Sequence, residues 1–162
     1  MTDKAQGDEA RRVIAENRKA RHDYHVLQTW EAGVALLGTE VKSIREGRAN
    51  LRDSYARVQG SEIWLYNVHI SPYSHQRSAK HTKMHPRKLL LHRHEIRKLV
   101  GQTAEKGLTL VPLELYFKQG RAKIQLGLAR GKKAHDKRET IRERDSEREI
   151  QRAVRGRGRS RA

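Results

Sequence analysis

Nine histidines are the first candidates for chemistry in this 162-residue chain. His81 and His85 lie four residues apart, and His92 and His94 lie two apart with Glu95 following. A catalytic zinc site needs three convergent ligands and an open position. The first pair falls where the sequence has no periodicity, so its spacing carries no helical meaning. The second pair is too close to share one helix face. Histidines in a basic protein more often stack on bases or touch phosphate. Cysteine is absent, which excludes disulfides, thiolate metal sites and thiol catalysis. The run Gly127–Lys133 has one residue too few between its glycines for a phosphate-binding loop, and Lys133 stands where a Ser or Thr would hold magnesium. Ser43, Ser54 and Ser71 have no nucleophile motif around them, and the acids of residues 22–130 are scattered singly. The expectation is a non-enzyme with no catalytic residue, metal or cofactor.

The cations are ordered instead. Arg18, Lys19 and Arg21 sit beside Asn17 and His22; Lys42, Arg45, Arg48 and Arg52 form a second group. Arg87, Lys88, Arg93, Arg97 and Lys98 form a third, and Arg130, Lys132 and Lys133 a fourth. Net charge is +17. Residues 22–130 hold eighteen Lys/Arg against nine Asp/Glu, and residues 131–162 hold twelve against six. A surface selected only for solubility carries a net charge of about 2–8 in a small domain, so a polyanion is the expected partner. No run approaches the roughly 18 apolar residues of a membrane span, and MTDKAQGDEARR lacks the apolar stretch of a signal peptide. The expected location is the cytoplasm.

The elements that must position these cations are mainly strands. Tyr24, Val26 and Trp30 share one parity, with a turn expected at Glu31-Ala32-Gly33 before Val34–Leu37. Thr39 offers an N-cap to a short helix carrying Val41 and Ile44, which Gly47 ends. Tyr55–Val58 and Ile63–Ile70 read as a hairpin across Gln59-Gly60-Ser61, residues 71–86 as an irregular loop, and Leu89–Leu91 as a brief strand. Residues 92–106 carry Ile96, Leu99 and Val100 on one face, which predicts a helix ending at Gly107. Val111, Leu113, Leu115 and Phe117 alternate with Pro112, Glu114 and Tyr116; a turn at Gln119-Gly120 leads to Ile124, Leu126 and Leu128. Most of Tyr24, Trp30, Tyr55, Trp64, Tyr66 and Tyr73 are expected in the core, with one or two left as stacking platforms. The pattern predicts a small antiparallel β-barrel of oligonucleotide-binding type with two or three helices; a two-layer α+β sandwich is the alternative. Beyond Gly131 the sizeable aliphatics are Ile141, Ile150 and Val154, too few to offset ordering entropy. Residues 137–153 contain no Gly or Pro, so this tail is expected to be disordered when free and helical when bound. Its closing GRGRSRA argues that the helix stops before Arg161. Three regions follow: a flexible arm over 1–16, an RNA-binding barrel over 17–130 and a basic tail over 131–162.

The segments NRKARHDY (17–24), EAG (31–33), GTEVKSIREGRANLRDSYARV (38–58), NVHISPY (67–73), RKLLLHRHEIRKL (87–99), KGLTLVPLELYF (106–117) and GLARGKKAHDKRETIRERD (127–145) resemble the bacterial SsrA-binding protein (small protein B) family. The likeness runs in continuous order over about residues 16–150. It implies a barrel that binds the tRNA-like domain of transfer-messenger RNA and delivers it to stalled ribosomes for trans-translation. It also implies a tail that becomes helical in the vacant mRNA channel near the decoding centre. Carried over by position, the RNA contacts fall on Asn17, Arg18, Glu31, Leu91 and Lys123, with Lys19, Arg21 and His22 as neighbours in the same motif. The ribosome-sensing positions fall on Gly131, Lys132, Lys133, His135, Asp136, Lys137 and Arg138. Expected partners are transfer-messenger RNA, the small ribosomal subunit with its mRNA channel, and elongation factor Tu with the aminoacylated RNA. A general ribosome-associated or assembly RNA-binding protein is the competing reading.

Overall fold

The computed structural model describes residues 11–73, 84–105, 107–132 and 134–159. Most of the expected loop over 71–86 and residues 1–10 of the expected arm lie outside the described residues. The chain divides into two compact units, Met1–Arg130 and Gly131–Ala162.

The first unit runs β1 (Arg12–Glu16), α1 (Arg18–Asp23), β2 (Tyr24–Val34), α2 (Gly38–Arg45), β3 (Ala49–Asn50), β4 (Tyr55–Gln59), β5 (Glu62–Tyr66), β6 (His69–Ile70), β7 (Arg87–Leu90), α3 (Arg93–Thr103), β8 (Leu108–Lys118) and β9 (Arg121–Gly131). The large sheet has the order β1-β8-β4-β5-β7-β2-β9, and β8 also pairs with β9. Six strands therefore close into a ring, and closure removes exposed strand edges. β1 is the added piece. Residues 12–16, expected in a flexible arm, pair instead with the second half of β8, Arg12 opposite Phe117 and Glu16 opposite Glu114. β3 and β6 form a separate two-stranded ribbon.

The barrel core holds Trp30, Ala32, Ile63, Leu65, Leu89, Leu110, Leu115, Ile124, Leu126 and Leu128, with Ile44 of α2 and Leu99 of α3 packed into it. β9 keeps the expected alternation: Ile124, Leu126 and Leu128 are buried, while Lys123 and Gln125 are part-exposed. β8 does not. A bulge between Pro112 and Glu114 inserts one residue and reverses its parity. Leu110, Leu115 and Phe117 consequently join the barrel core. Val111 and Leu113 instead pack outside it with Ala20 of α1 and Ala129. Gly127 fits a tight spot here: a Cβ would lie 3.0 Å from Leu113 Cδ1 and 3.3 Å from Val26 Cγ1, so those side chains would have to give way.

Several local expectations shift. β2 passes through Glu31-Ala32-Gly33 without turning, since its hydrogen-bond partners on both sides continue. The N-cap of α2 is Leu37 rather than Thr39, and Glu40 Oε1 accepts from the Leu37 N–H at 3.1 Å. The run 63–70 breaks at Asn67, which has φ +60° and sends β6 to a different sheet. α3 ends at Thr103, where Thr103 Oγ1 donates to the Leu99 carbonyl at 2.8 Å. The β8–β9 turn forms as expected, with φ +51° at Gln119 and +71° at Gly120, a pairing that matches strand twist. Of the six aromatics expected mostly in the core, Trp30 is buried, and the other five are half-buried at the surface.

The second unit contains α4, Ala134–Arg159. The tail, expected to be helical when bound, is a helix in this structure of the chain alone. Ile141, Ile150 and Val154 are exposed along it. Lys132 Nζ donates to Thr140 Oγ1 at 3.0 Å at its start.

Candidate nucleic-acid interface

The first basic group is organised by Asn17. Its side chain caps α1 by accepting from Ala20 N–H at 3.1 Å, and its Nδ2 donates to Pro112 O at 2.9 Å and Leu51 O at 3.2 Å. Its own N–H donates to Leu113 O at 2.8 Å. The Pro112 and Leu113 carbonyls lie at the β8 bulge, and Asn17 bonds them together with the Leu51 carbonyl. Asn17, expected as an RNA contact, is 3% exposed in this structure, and its engaged amide positions α1. Arg18 is thereby held in solvent, its side chain 89% exposed. Lys19 pairs with Asp53, Arg21 with Glu114 at 3.2 Å, and His22 with Asp23 at 2.9 Å. The Lys19 ammonium holds the Asp53 carboxyl below its ordinary range. Lys19, Tyr24, Asp53 and Tyr55 line a shallow cleft beside α1.

Glu31, Leu91 and Lys123 come from β2, the segment after β7, and β9, and they line one open cleft with Gly33, Leu90, His92 and Glu95. Glu31 reaches it from mid-strand because β2 lies between β7 and β9 in the ring. Tyr116 Oη donates to Glu31 Oε2 at 2.6 Å, and Lys118 Nζ lies 3.6 Å from the same oxygen. The Tyr116 bond, more than the nearby Lys118 and Lys123 charges, holds the Glu31 carboxyl below its ordinary value although burial opposes it. Burial and the carboxylate push the Tyr116 phenol far upward, so it remains a donor. The cleft thus offers an ionised acceptor, an ammonium and an apolar wall. That combination suits a base edge or 2′-hydroxyl beside a phosphate.

A chain of contacts that the periodicity does not reveal joins the two groups. Glu114 accepts from both Arg21 and Arg11, and the Arg11 guanidinium lies 3.8 Å from the centroid of the Tyr116 ring, whose hydroxyl fixes Glu31. Only the outward parity of Glu114 and Tyr116 in the sequence hinted at this.

Arg87, grouped above with surface cations, is buried. It donates through Nε to Glu40 Oε2 at 2.6 Å and through Nη1 to Val68 O at 2.8 Å. Glu40 is also buried and lies 3.1 Å from His85 Nε2. This pair ties α2 to β7. Of the expected tail positions, Lys133 and the side chains of His135 and Asp136 lie outside what is described. Gly131 ends β9, and Lys137 and Arg138 lie in the first turns of α4. Among the described residues no three His, Asp or Glu side chains are grouped to hold a metal ion, and no helix is long and apolar enough to cross a membrane.

A family model described as SmpB protein matches residues 14–156. The chain belongs to the SmpB family. The SsrA-binding protein of Carboxydothermus hydrogenoformans is 62% identical over 146 residues, covering 90% of this chain and 98% of that one. The SsrA-binding protein of Thermosynechococcus vestitus is 58% identical over 147 residues, covering 90% and 97%. A solved structure described as "tmRNA-SmpB: a journey to the center of the bacterial ribosome" superposes with TM-score 0.64 at 53% identity, covering 78% of this chain and 93% of that chain. The structural likeness agrees with the β-barrel, and residues 14–156 of the family match include Glu31, Leu91, Lys123 and α1.

Proposed function

We propose that this chain is an RNA-binding adaptor of ribosome rescue. It binds the tRNA-like domain of transfer-messenger RNA through the Glu31–Leu91–Lys123 cleft and the α1 cations, and carries that RNA to stalled ribosomes for trans-translation in the cytoplasm. The tail enters the vacant mRNA channel, with residues 131–138 near the decoding centre. The observation that carries the reading is the convergence of Glu31, Leu91 and Lys123, far apart in sequence, on one cleft in a chain of the SmpB family. The tail supports it: α4 is exposed along its apolar positions and mixes charges, with Arg148 Nη1 3.9 Å from Asp145. Such a helix suits a channel lined by phosphates and basic proteins.

Glu31→Ala and Lys123→Ala should each weaken binding of the tRNA-like RNA domain by about tenfold, the loss of one charge-assisted hydrogen bond, while the thermal transition is retained. A chain ending at Arg130 should keep this affinity and lose peptide tagging on stalled ribosomes in a reconstituted translation system. Undiminished binding by both variants would remove the cleft from the site. Full tagging by the shortened chain would remove the tail from the mechanism.

A further inference from the structure

Apart from Tyr55, which also borders the cleft beside α1, the outer face of β4, β5 and β7 belongs to neither RNA-binding group of the proposed function. Tyr55 lies opposite Tyr66, and Arg57 opposite Trp64, which in turn lies opposite Lys88. The alternate residues Ala56, Ile63, Leu65 and Leu89 are all buried in the barrel, so the first set must face outward. The result is two rows on a sheet surface: a pair of tyrosines, and an indole flanked by two cations.

These side chains are held in place. The Tyr55 and Tyr66 rings stack at 5.3 Å with 15° between their planes. Gln59 Nε2 donates to the Tyr66 hydroxyl. Glu62 accepts from Trp64 Nε1 at 3.1 Å through one oxygen and from Lys88 Nζ at 3.0 Å through the other. The lone carboxylate among these residues is thereby neutralised while it orients the indole, and the Lys88 and Trp64 bonds hold it below its ordinary range. Arg57 is exposed and makes no ion pair among the described residues.

We infer that this face is a stacking platform for unpaired RNA bases, with Trp64 and Tyr66 taking base faces and Arg57 and Lys88 taking the adjoining phosphates. Flat aromatic surfaces beside cations are the recurring means of holding single strands, and each stacked base contributes about 1–3 kcal/mol. The spacing agrees: side chains on neighbouring strands are about 5 Å apart, so a base over Trp64 leaves its phosphates within reach of Arg57 on one side and Lys88 on the other. A regular duplex presents its bases edge-on and cannot use the platform. The inference goes beyond the proposed function, because it specifies unpaired bases whatever RNA supplies them.

The chain has two tryptophans, and Trp30 is buried in the core, which leaves Trp64 as the one a base can reach. The full-length protein is titrated with a 12-nucleotide oligoadenylate, with a 12-base-pair RNA duplex and with polyglutamate, and tryptophan fluorescence is read. Oligoadenylate should quench saturably, and the other two should not. The quench should vanish in Trp64→Phe. Affinity for oligoadenylate by anisotropy should fall about thirtyfold or more in Trp64→Leu/Tyr66→Ala, two stacked bases at the lower part of the stacking range. Both variants lie on the outer face, and circular dichroism checks their fold. Absence of quenching, equal quenching by the duplex or polyglutamate, or undiminished affinity in a folded double variant would overturn the platform. Glu31→Ala separates the two readings, since it tests the cleft and should still show the oligoadenylate quench.

Discussion

Tyr116→Phe isolates the contact that orients Glu31. The substitution removes one hydroxyl, leaving a ring that is 2% exposed and covered by Arg11. A hydrogen bond to a charged group contributes about 1.5–3 kcal/mol when well formed. The Glu31 side chain is 42% exposed and Lys118 stands 3.6 Å away, so water and that ammonium recover part of it. A net cost of about 1 kcal/mol remains, or roughly fivefold in affinity for the tRNA-like RNA domain. The pH dependence distinguishes positioning from general damage. Glu31's carboxyl lies below its ordinary 4.5 in the folded chain, principally because of Tyr116. A folded-state pKa below the unfolded value gives a contribution that is complete above about pH 4.5 and lost as pH falls through the folded pKa. In Tyr116→Phe the carboxyl returns toward 4.5, so binding should decline at a higher pH than in the parent. Anisotropy with labelled RNA from about pH 4 to pH 7, alongside thermal unfolding, reads both effects. Parent-like affinity with an unmoved pH profile would refute the reasoning. So would an equal loss at every pH accompanied by a large drop in Tm, which would make Tyr116 merely structural.

Two further outcomes concern the scaffold. Arg87→Met strands the buried Glu40 carboxylate and the Val68 carbonyl, and should cost about 3–5 kcal/mol in urea unfolding, whereas Arg87→Met/Glu40→Met should recover much of that; equal losses in the two would show that the pair is not coupled. Gly120→Ala places a Cβ at φ +71° and should cost about 1 kcal/mol in thermal stability with RNA affinity unchanged.

Some of this protein could be read from neighbouring residues alone. Alternation in Ile124, Leu126 and Leu128 assigns their face because successive strand side chains point oppositely. Gln119-Gly120 makes its turn because φ is positive at both positions. The tail's charge pattern, uninterrupted by Gly or Pro over 137–153, is compatible with the helix observed from Ala134 to Arg159. The expected contacts Glu31, Leu91 and Lys123 came from resemblance, not periodicity, and nothing local says that they meet.

Tertiary structure decided what depends on partners distant in the chain. The bulge at Pro112–Glu114 sends Val111 and Leu113 to a different cluster from Leu115 and Phe117, although all four share one parity in sequence. α1 was invisible because its six residues carry a single buried side chain, Ala20, and its cap amide draws on carbonyls of Leu51 and Pro112. Arg87 looks like any surface cation until Glu40 and the Val68 carbonyl close around it. The sequence by itself determined the alternation of β9, the basic character and the separate tail, because those follow from steric and charge relations between near neighbours. Which side chains converge was decided by ring closure, which brings β2, β7 and β9 side by side at a loop-closure cost that no local pattern records.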